Sequence, residues 1–535
     1  MSRPPFFFFI LLIAIVALLF RFPLLSERPM HGDEAVNAVK IGELIEGSGY
    51  RYDPHEYHGP TLNYFSLFFS WVYGVGSFSG LSEQTLRLLP VVVGCLLLLL
   101  VFSLRGALGS SAILFSAFFI AVSPSMIFYS RYFIHESILV LFTSTLIIGG
   151  YFYLKSPKKR WALLIGFSLG LMHATKETFV IALASIILSI LLLFFQLNKK
   201  ERQGLFKRIR VQHLFLMLVS AAFVSILFFT SFFNNPKGII DSFSTYIIYA
   251  DRAGNSVHEH PWYFYFQLLF FYKFSDGPYF SEWIVLFLSV VGIVVSLIGR
   301  WNFGDPIFVR FIVFFTVAMI TVYSFLPYKT PWCLLGFYYG MLLLAGVGAV
   351  QLIYSSNKVV RLVSIGTIIL GIVHLGQQAY GVNYKYFDSR NPHIYGHTSS
   401  DIIKVVDKVK AMAAIDSDSV VTTRIQVYCP ENDYWPLPWY LRDNQVEYGS
   451  SVSEETQPAP IIIIQPSMED DLMRKLYELP PPGQRELYMH LFYNIDDGTV
   501  DVMELRPSVE LVGFVSRSLF EKYLQSNAND LEADP

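Results

Sequence analysis

The feature that most restricts the fold of this chain of 535 residues is a set of eleven apolar runs. Each run is near the ~20 residues that cross a bilayer. They are centred near 6–25, 86–104, 111–129, 133–154, 161–175, 178–196, 211–233, 283–299, 307–326, 333–354 and 362–380. No small-residue cleavage site follows the first run, so we expect an uncleaved first helix. With 53% hydrophobic and 15% charged residues, the sequence predicts a polytopic α-helical membrane protein.

The basic loops predict the orientation, because Lys and Arg accumulate on the cytoplasmic side. If the N-terminus is cytoplasmic, the basic clusters at 104–111, 155–160, 198–212 and 355–361 all lie inside. The polar segments then lie outside, together with everything after about residue 381. We therefore expect a multi-pass protein of the cell membrane whose functional site lies on the extracytoplasmic side.

Two regions are not predicted to span the membrane. The segment 61–80 is apolar but would break the parity, so we predict a helix lying in the outer interface. The composition becomes soluble after residue 380, with helical patterns at 400–414 and 468–478 and strand-like runs at 419–428 and 459–466. We expect a transmembrane domain at 1–380 and an extracytoplasmic α/β domain at 381–535.

Composition also excludes several classes of protein. The net charge of −2 gives no basic excess, so no nucleic-acid partner is expected. The three cysteines, Cys95, Cys333 and Cys429, are far apart and suggest neither a disulfide framework nor a thiolate cage. No Gly-rich nucleotide fingerprint occurs, so a nucleotide-linked donor is not indicated.

Several polar clusters arrive at the predicted outer boundary of the membrane. The segment 30–65 carries the acidic pair Asp33–Glu34 at the start of an amphipathic pattern, which predicts a short surface helix. The further charged side chains in these clusters are Arg131, His135, Glu136, His173, Lys176, Glu177, His260 and Lys329. Polar groups at a bilayer are costly and usually mark a site, so carboxylates and cations together indicate proton abstraction and phosphate stabilisation.

The order of these features resembles the GT-C membrane glycosyltransferases that use polyprenyl-phosphate sugars, such as protein O-mannosyltransferases and aminoarabinose transferases. The motifs "HGDEAVNAVKIGEL", "YRYDPHEYHGPTLNY", "SRYFIHE", "YKTPW" and "NDYWPLPWYLRD" are similar to the prokaryotic flippase-activity-associated proteins of surface glycan assembly. The resemblance covers nearly the whole chain. It implies a GT-C-like fold and an inverting glycosyltransferase acting on a lipid-linked donor and a glycan, lipid or protein acceptor.

The resemblance also implies roles for individual residues. Asp33 is the expected catalytic base, with Glu34 assisting and Glu136 helping to hold the acceptor or the donor sugar. Arg131, Lys176 and Lys329 are expected to contact the lipid phosphate as it leaves. The family pattern departs at His135 before the second acid, and at Glu177, which would offset part of the charge of Lys176. The further substrate-binding candidates are His58, His135, His260, Trp435 and Trp439.

Two alternatives to glycosyl transfer stay open from the residues alone. His31, Asp33, His55 and His58 could hold zinc or manganese in a membrane hydrolase, and a divalent metal could also assist transfer. A flippase or accessory protein without catalysis is the second alternative, although such a protein typically places its charges near mid-membrane.

Aromatic residues offer both structural and binding interpretations. The motif "CPENDYWPLPWYLRD" (429–443) has the composition of a sugar-stacking surface but equally of a Pro-punctuated core. Arg131, Lys176 and Lys329 can likewise be read as interfacial anchors. Archaeal and bacterial cell envelopes fit the sequence equally.

Overall fold

The computed structural model of this protein describes residues 3–55, 58–252, 259–415, 423–493 and 498–533. The helices of these residues are α1 (Arg3–Arg21), α2 (Gly32–Ile45), α3 (Thr61–Val72), α4 (Glu83–Ser103), α5 (Arg105–Leu108), α6 (Ser110–Val122), α7 (Pro124–Tyr129), α8 (Glu136–Lys155), α9 (Lys159–His173), α10 (Phe179–Gln196), α11 (Lys199–Arg208), α12 (Val211–Phe229), α13 (Gly238–Arg252), α14 (Phe264–Phe270), α15 (Trp283–Leu297), α16 (Pro306–Phe325), α17 (Leu335–Ile353), α18 (Lys358–Tyr380), α19 (Asp401–Ile415), α20 (Leu437–Tyr440), α21 (Glu469–Met473) and α22 (Arg517–Ala533). The strands are β1 (Arg424–Tyr428), β2 (Gln445–Gly449), β3 (Ile461–Ile464), β4 (Tyr488–His490), β5 (Met503–Arg506) and β6 (Val509–Ser516).

The chain forms two compact units, which we call the membrane unit and the sheet unit. The membrane unit comprises residues 1–25, 48–74 and 82–395, and the sheet unit comprises 26–47, 75–81 and 396–535. Helix α2, which carries the acidic pair, therefore belongs to the sheet unit by its contacts. The division into a transmembrane domain at 1–380 and an extracytoplasmic domain at 381–535 stays a prediction.

Apolar helices build the membrane unit. Each of the eleven predicted spans overlaps a helix of this unit, and seven helices in the described residues are long and apolar enough to cross a membrane. These seven are α4, α8, α10, α12, α16, α17 with its preceding turn, and α18 with its continuation to Lys385. The structure is thus that of a multi-pass membrane protein, and the total of eleven spans stays a prediction.

Small residues set the packing at the centre of the membrane unit. Helix α17 is almost entirely buried and packs against α6, α15 and α16. A Cβ atom on Gly348 would lie 2.0 Å from the carbonyl oxygen of Leu288, and one on Gly292 would lie 2.2 Å from that of Leu344. Close backbone approach of this kind drives helix association where lipid tails leave no hydrophobic gain.

The predicted interface helix is α3, which ends at Val72 rather than near residue 80. It buries Thr61, Leu62 and Asn63 and exposes Phe68 and Trp71. Such a face suits a helix at the headgroup level, and its position at the interface stays a prediction.

A sheet with strand order β2-β1-β3-β6-β4 forms the core of the sheet unit, and β5 pairs with β6. Strand β1 runs parallel to β2 and β3, whereas β6 is antiparallel to β3. All four isoleucines of β3 are buried, as expected for a strand covered on both faces. The predicted α/β domain is confirmed, and of the predicted strand at 419–428 the residues before Thr423 lie outside the described residues.

Candidate active site

The acidic pair at the start of α2 divides into a buried and an exposed carboxylate. His31 caps the helix, and its Nδ1 accepts a hydrogen bond from the backbone N–H of Asp33 at 3.1 Å. The Glu34 carboxylate accepts from the His31 backbone N–H at 3.1 Å and lies 3.5 Å from the Arg28 guanidinium, fully buried. The side chain of Asp33 is 57% exposed. Glu34 thus fixes the start of the helix, and Asp33 is the carboxylate that a substrate can reach.

The sheet unit also supplies a cation near Asp33 that sequence reasoning missed. Arg506, at the end of β5, forms an ion pair with Asp433 and donates to the Trp435 carbonyl oxygen at 3.0 Å. Burial lowers the pKa of Arg506, and the nearby charges of Cys429 and Asp33 raise it in part. No local sequence pattern predicts the contacts of Arg506, because its partners Asp433 and Trp435 lie about seventy residues or more away in the chain.

A buried ion pair joins two of the predicted residues in the membrane unit. Glu136 begins α8, and its Oε1 accepts from the Nζ of Lys176 in the turn between α9 and α10. The side chains of both residues are less than a tenth exposed. The N-terminus of α8 also favours the carboxylate. Sequence reasoning expected Glu177 to offset the charge of Lys176, whereas the direct partner is Glu136.

Glu177 instead pairs with His58. The Nδ1 atom of His58 lies 2.8 Å from Oε2 of Glu177, and the Tyr52 hydroxyl donates to the same carboxylate at 3.4 Å. Burial opposes ionisation, yet the charge and hydrogen bond of His58 lower the pKa of Glu177. The carboxylate is therefore held charged and orients the imidazole.

Close backbone contact positions His58. A Cβ atom on Gly59 would lie 2.3 Å from the carbonyl oxygen of Ala174, so only glycine fits there. The backbone N–H of Thr61 donates to the same carbonyl at 3.1 Å, and the side chains of Thr61 and Thr175 are hydrogen-bonded. The motif "HGPT" thus docks on the turn that carries Lys176 and Glu177.

His135 completes this cluster. Its Nε2 donates to the Gly59 carbonyl oxygen at 3.0 Å, and its ring lies 5.2 Å from that of His58. Burial, with the charges of His58 and Lys176, holds the pKa of His135 well below its usual value. His135 is therefore a neutral positioning group for the loop that bears His58.

Arg131 and Lys329 direct their donors to the protein backbone. Arg131 donates to the carbonyl oxygens of residues 21, 23 and 24 and to the hydroxyl of Tyr384. Lys329 donates to the carbonyl oxygens of His260 and Leu326. Burial lowers the pKa of Arg131 to about 10 and also lowers that of Lys329. Both residues connect chain segments within the protein, and their predicted contact with the lipid phosphate stays a prediction.

The aromatic candidates for substrate binding differ in their burial and contacts. Trp439 is fully buried, with Phe78 at 5.9 Å between ring centroids and the Arg442 guanidinium over its ring at 4.0 Å. The ring of Trp439 is therefore closed to solvent in this packing, and its predicted role in substrate binding stays a prediction. Trp435 is half-buried, and its Cβ lies 3.6 Å from the Cβ position of Gly32. His260 stacks on Phe264 at 4.2 Å.

A further buried acid in the membrane unit was not anticipated. Glu282, just before α15, accepts hydrogen bonds from the side chains of Ser123, Ser125 and Tyr338. Burial raises the pKa of this carboxyl, and those hydrogen bonds lower it in part. The Ser125 hydroxyl also lies 3.3 Å from Nε2 of His393. The cluster ties α7, α15 and α17 together, and no sequence motif marks it.

The described part of the chain contains no cluster of metal-ligating side chains that would support the metal interpretation. Among the residues that the structure describes, no group of three or more His, Cys, Asp and Glu side chains converges as a metal site would require. Residues 56 and 57 of the "HEYH" motif lie outside the described residues.

Known proteins share parts of this sequence and most of this fold. Residues 58–229 match the family described as dolichyl-phosphate-mannose-protein mannosyltransferase, a region that includes His58, Glu136 and Lys176. ArnT of Cupriavidus metallidurans, solved bound to undecaprenyl phosphate, is similar over 94% of this chain and 97% of its own, with a TM-score of 0.61 and 15% identity. The chain has the GT-C fold. This confirms the fold that the resemblance implied, and membership of the flippase-activity-associated family stays a prediction.

Two further comparisons differ in weight. The archaeal oligosaccharyltransferase AglB of Archaeoglobus fulgidus, in complex with an inhibitory peptide and a dolichol-phosphate, matches this GT-C chain with a TM-score of 0.56 and 12% identity, over 97% of this chain and 77% of its own. A sequence relative from Enterococcus faecalis, one polypeptide of an ATP-dependent helicase/deoxyribonuclease, is 26% identical over 111 residues. That segment is 20% of this chain and spans only 9% of the relative's length. A match so short indicates nothing about activity.

Proposed function

We propose that this GT-C chain is a glycosyltransferase that moves a sugar from a polyprenyl-phosphate donor to an acceptor, with inversion. The observation that carries the proposal is the fold match over more than nine-tenths of the chain to two structures, one holding undecaprenyl phosphate and one a dolichol-phosphate. The family match to a mannosyltransferase that uses a dolichyl-phosphate sugar supports the same donor class.

Asp33 is the proposed base. A general base must reach the acceptor hydroxyl, and Asp33 is the exposed carboxylate of the pair, held on a capped helix. Glu34 is buried against Arg28, so we assign it to positioning and not to proton transfer. Arg506 gives the site a nearby positive charge on the sheet unit.

Lys176 is the proposed phosphate-binding cation. Its ammonium pairs with the Glu136 carboxylate, whereas the donors of Arg131 and Lys329 are directed to several carbonyl oxygens. A lipid phosphate can share the ammonium with Glu136, and cations of this kind stabilise charge as a leaving group departs. His58, oriented by Glu177, is a proposed hydrogen-bond donor to the sugar or the phosphate.

The reaction transfers one glycosyl group and one proton. The acceptor oxygen attacks the anomeric carbon and loses its proton to Asp33. The bond between that carbon and the phosphate oxygen breaks, and its electron pair leaves with the lipid phosphate. The products are the glycosylated acceptor and the free polyprenyl phosphate, and no nucleotide takes part.

The proposed orientation places the N-terminus in the cytoplasm and the site outside it. The basic loops between α8 and α9, between α10 and α12, and between α17 and α18 support this arrangement, because cytoplasmic loops attract Lys and Arg. The donor sugar would then be used in the outer leaflet.

The decisive experiment measures transfer of radiolabelled sugar from a panel of polyprenyl-phosphate monosaccharides by the purified full chain in lipid. We expect turnover by the wild type and its loss in Asp33→Asn with donor binding retained. Donor binding without consumption of any donor by the wild type would contradict the proposal and favour an accessory role. Loss of turnover on chelation would add a divalent metal.

A further inference from the structure

The sheet unit contains a cavity that the proposed reaction does not use. Its volume is about 300 Å³, at the lower end of the range for small-molecule sites. One wall is the loop 454–458, and the other is formed by residues of the segment 475–488, which follows α21. The cavity lies wholly within the sheet unit.

A buried ammonium lines this cavity. Lys475 is only 4% exposed, and its Nζ donates to the Thr456 hydroxyl at 3.2 Å and to the Tyr428 hydroxyl at 3.5 Å. The second distance is at the outer limit of a hydrogen bond. No carboxylate lies within ion-pair distance of Lys475 in the described part of the chain. The two hydrogen-bond partners of the ammonium are neutral oxygens, so the end of the cavity that Lys475 lines suits an anionic group.

The local sequence explains why the ammonium stays in place. The stem of Lys475 packs where the helix after α21 covers the sheet, next to the buried Leu472 and Leu476. Its Nζ lies 5.5 Å from the centre of the Tyr428 ring, which stabilises the charge. The Glu447 carboxylate also attracts the Lys475 ammonium from beyond ion-pair distance, and it accepts a hydrogen bond from the side chain of Gln426 at 2.8 Å.

Hydrogen-bond acceptors dominate the mouth of the cavity. The carboxylates of Glu454, Glu455 and Glu486 line it, with Glu454 paired to Arg474 and Glu486 accepting from Ser518. Three carboxylates repel a ligand with several negative charges, such as a phosphate dianion. They do accept hydrogen bonds from hydroxyl groups. The ligand that fits is therefore rich in hydroxyls and carries one negative charge for the buried end.

We propose that this cavity binds a uronic acid unit of a glycan, with the carboxylate on Lys475 and the sugar hydroxyls on the glutamates. The ring of Tyr488, whose hydroxyl donates to the Ala459 carbonyl oxygen, offers an apolar face for the sugar. That the bound glycan is the acceptor of the transfer rests on the proposed function. Binding itself does not depend on transfer.

The test is ligand-detected NMR binding to the purified full chain in nanodiscs, with the monosaccharide methyl galacturonoside, which carries one carboxylate, and its methyl ester as probes. The ester has the same shape without the charge. We expect the acid to bind about tenfold more tightly than the ester, since a hydrogen bond to a charged group contributes at least that factor. Equal affinities for the acid and the ester would overturn the proposal.

Variants give a second criterion. Lys475→Met is expected to reduce affinity for the acid by about tenfold and to leave affinity for the ester unchanged. Lys404→Met, an exposed lysine of the same unit, is the matched control and is expected to bind like the wild type. Wild-type affinity in Lys475→Met would overturn the proposal.

A third variant keeps the proposal testable even if Lys475→Met does not fold. Glu455→Gln is at an exposed position and keeps a side-chain oxygen that accepts a hydrogen bond from a sugar hydroxyl. It is expected to bind the acid about twofold more tightly at low salt, because one repulsive charge is lost, and weaker binding of the acid than by the wild type would overturn the proposed placement of its carboxylate. Displacement of the acid by equimolar inorganic phosphate would overturn the assignment to a sugar. A chain that transfers sugar but does not bind the acid contradicts this inference alone, whereas binding without transfer contradicts the proposed function alone.

Discussion

Lys176 donates a hydrogen bond to Glu136 within the membrane unit, and both side chains are almost completely buried. The two residues lie forty positions apart, at the turn after α9 and at the first residue of α8. A buried pair of this kind is weak evidence for net stability, because desolvation offsets the attraction. Its position at a helix end near His58 and Glu177 therefore favours a functional role for the ammonium.

Replacement of Lys176 should separate structure from function. Lys176→Met leaves the Glu136 carboxylate buried without its partner, so we expect a loss of ~3–5 kcal/mol in the free energy of unfolding. The double variant Lys176→Met/Glu136→Gln removes both charges and should recover most of that loss. Thermal unfolding of the full chain in detergent measures both effects.

Turnover then decides the role of the pair. If Lys176 stabilises the leaving phosphate, the double variant should stay ~10²–10³-fold slower than the wild type although it is stable. A stable double variant with wild-type turnover would show that the pair is only structural.

The exposed and buried acids of α2 predict opposite phenotypes. Asp33→Asn should change the free energy of unfolding by less than ~0.5 kcal/mol, because the side chain is exposed, and should slow transfer ~10²–10⁴-fold. Glu34→Gln should destabilise the chain by ~3–5 kcal/mol, because Arg28 loses its buried partner. Parallel thermal melts and transfer assays distinguish the two.

Glu43→Gln is the matched control on the same helix. Glu43 is half-buried, and its carboxylate pairs with Lys40 three residues earlier on the same helix, so the variant should resemble the wild type in both assays. Normal turnover in Asp33→Asn would remove Asp33 as the base.

Local patterns predicted most of the fold, because hydrophobic runs and helix caps depend on neighbouring residues. The eleven apolar runs became helices, and the strand 459–466 became β3. Lys176, Glu136 and His58 were also singled out from sequence, since charges are conspicuous beside apolar runs. Their pairing was not, because Glu177 is adjacent to Lys176 in sequence but turns toward His58.

Long-range contacts account for what the sequence could not show. Glu282 meets Ser123 over a separation of 159 residues, and Arg506 meets Trp435 over 71. The assignment of α2 to the sheet unit depends on contacts such as that of Met30 with Tyr440, 410 residues away. No periodicity or motif records a contact at such distances.

Two buried neutral histidines predict acid sensitivity of the membrane unit. Burial holds the pKa of His135 well below 6.5 and lowers that of His393 to about 3. Below pH 6.5 the unfolded chain binds protons that the folded chain does not, so stability falls as the pH falls. The loss is at most ~1.4 kcal/mol for each histidine between pH 6.5 and 5.5.

Unfolding temperatures measured between pH 7.5 and 5.5 test this expectation. His135→Gln and His393→Gln should each flatten the decline, whereas the exposed His55→Gln should not. The lowered pKa of Glu177 adds a separate loss of stability only below about pH 4.5. A decline that is unchanged in both histidine variants would assign the acid sensitivity to other groups.

The two tryptophans of the 429–443 motif should differ in what they control. Trp439→Ala removes a fully buried side chain and should destabilise the chain by ~3–5 kcal/mol. Trp435 is half-buried beside Gly32, so Trp435→Ala should cost less, ~1 kcal/mol, and should weaken acceptor binding while donor hydrolysis continues. Acceptor titration of transfer, donor hydrolysis and thermal melts measure the three quantities. Unchanged acceptor affinity in a folded Trp435→Ala chain would favour a packing role for the motif, since Trp439 is fully buried.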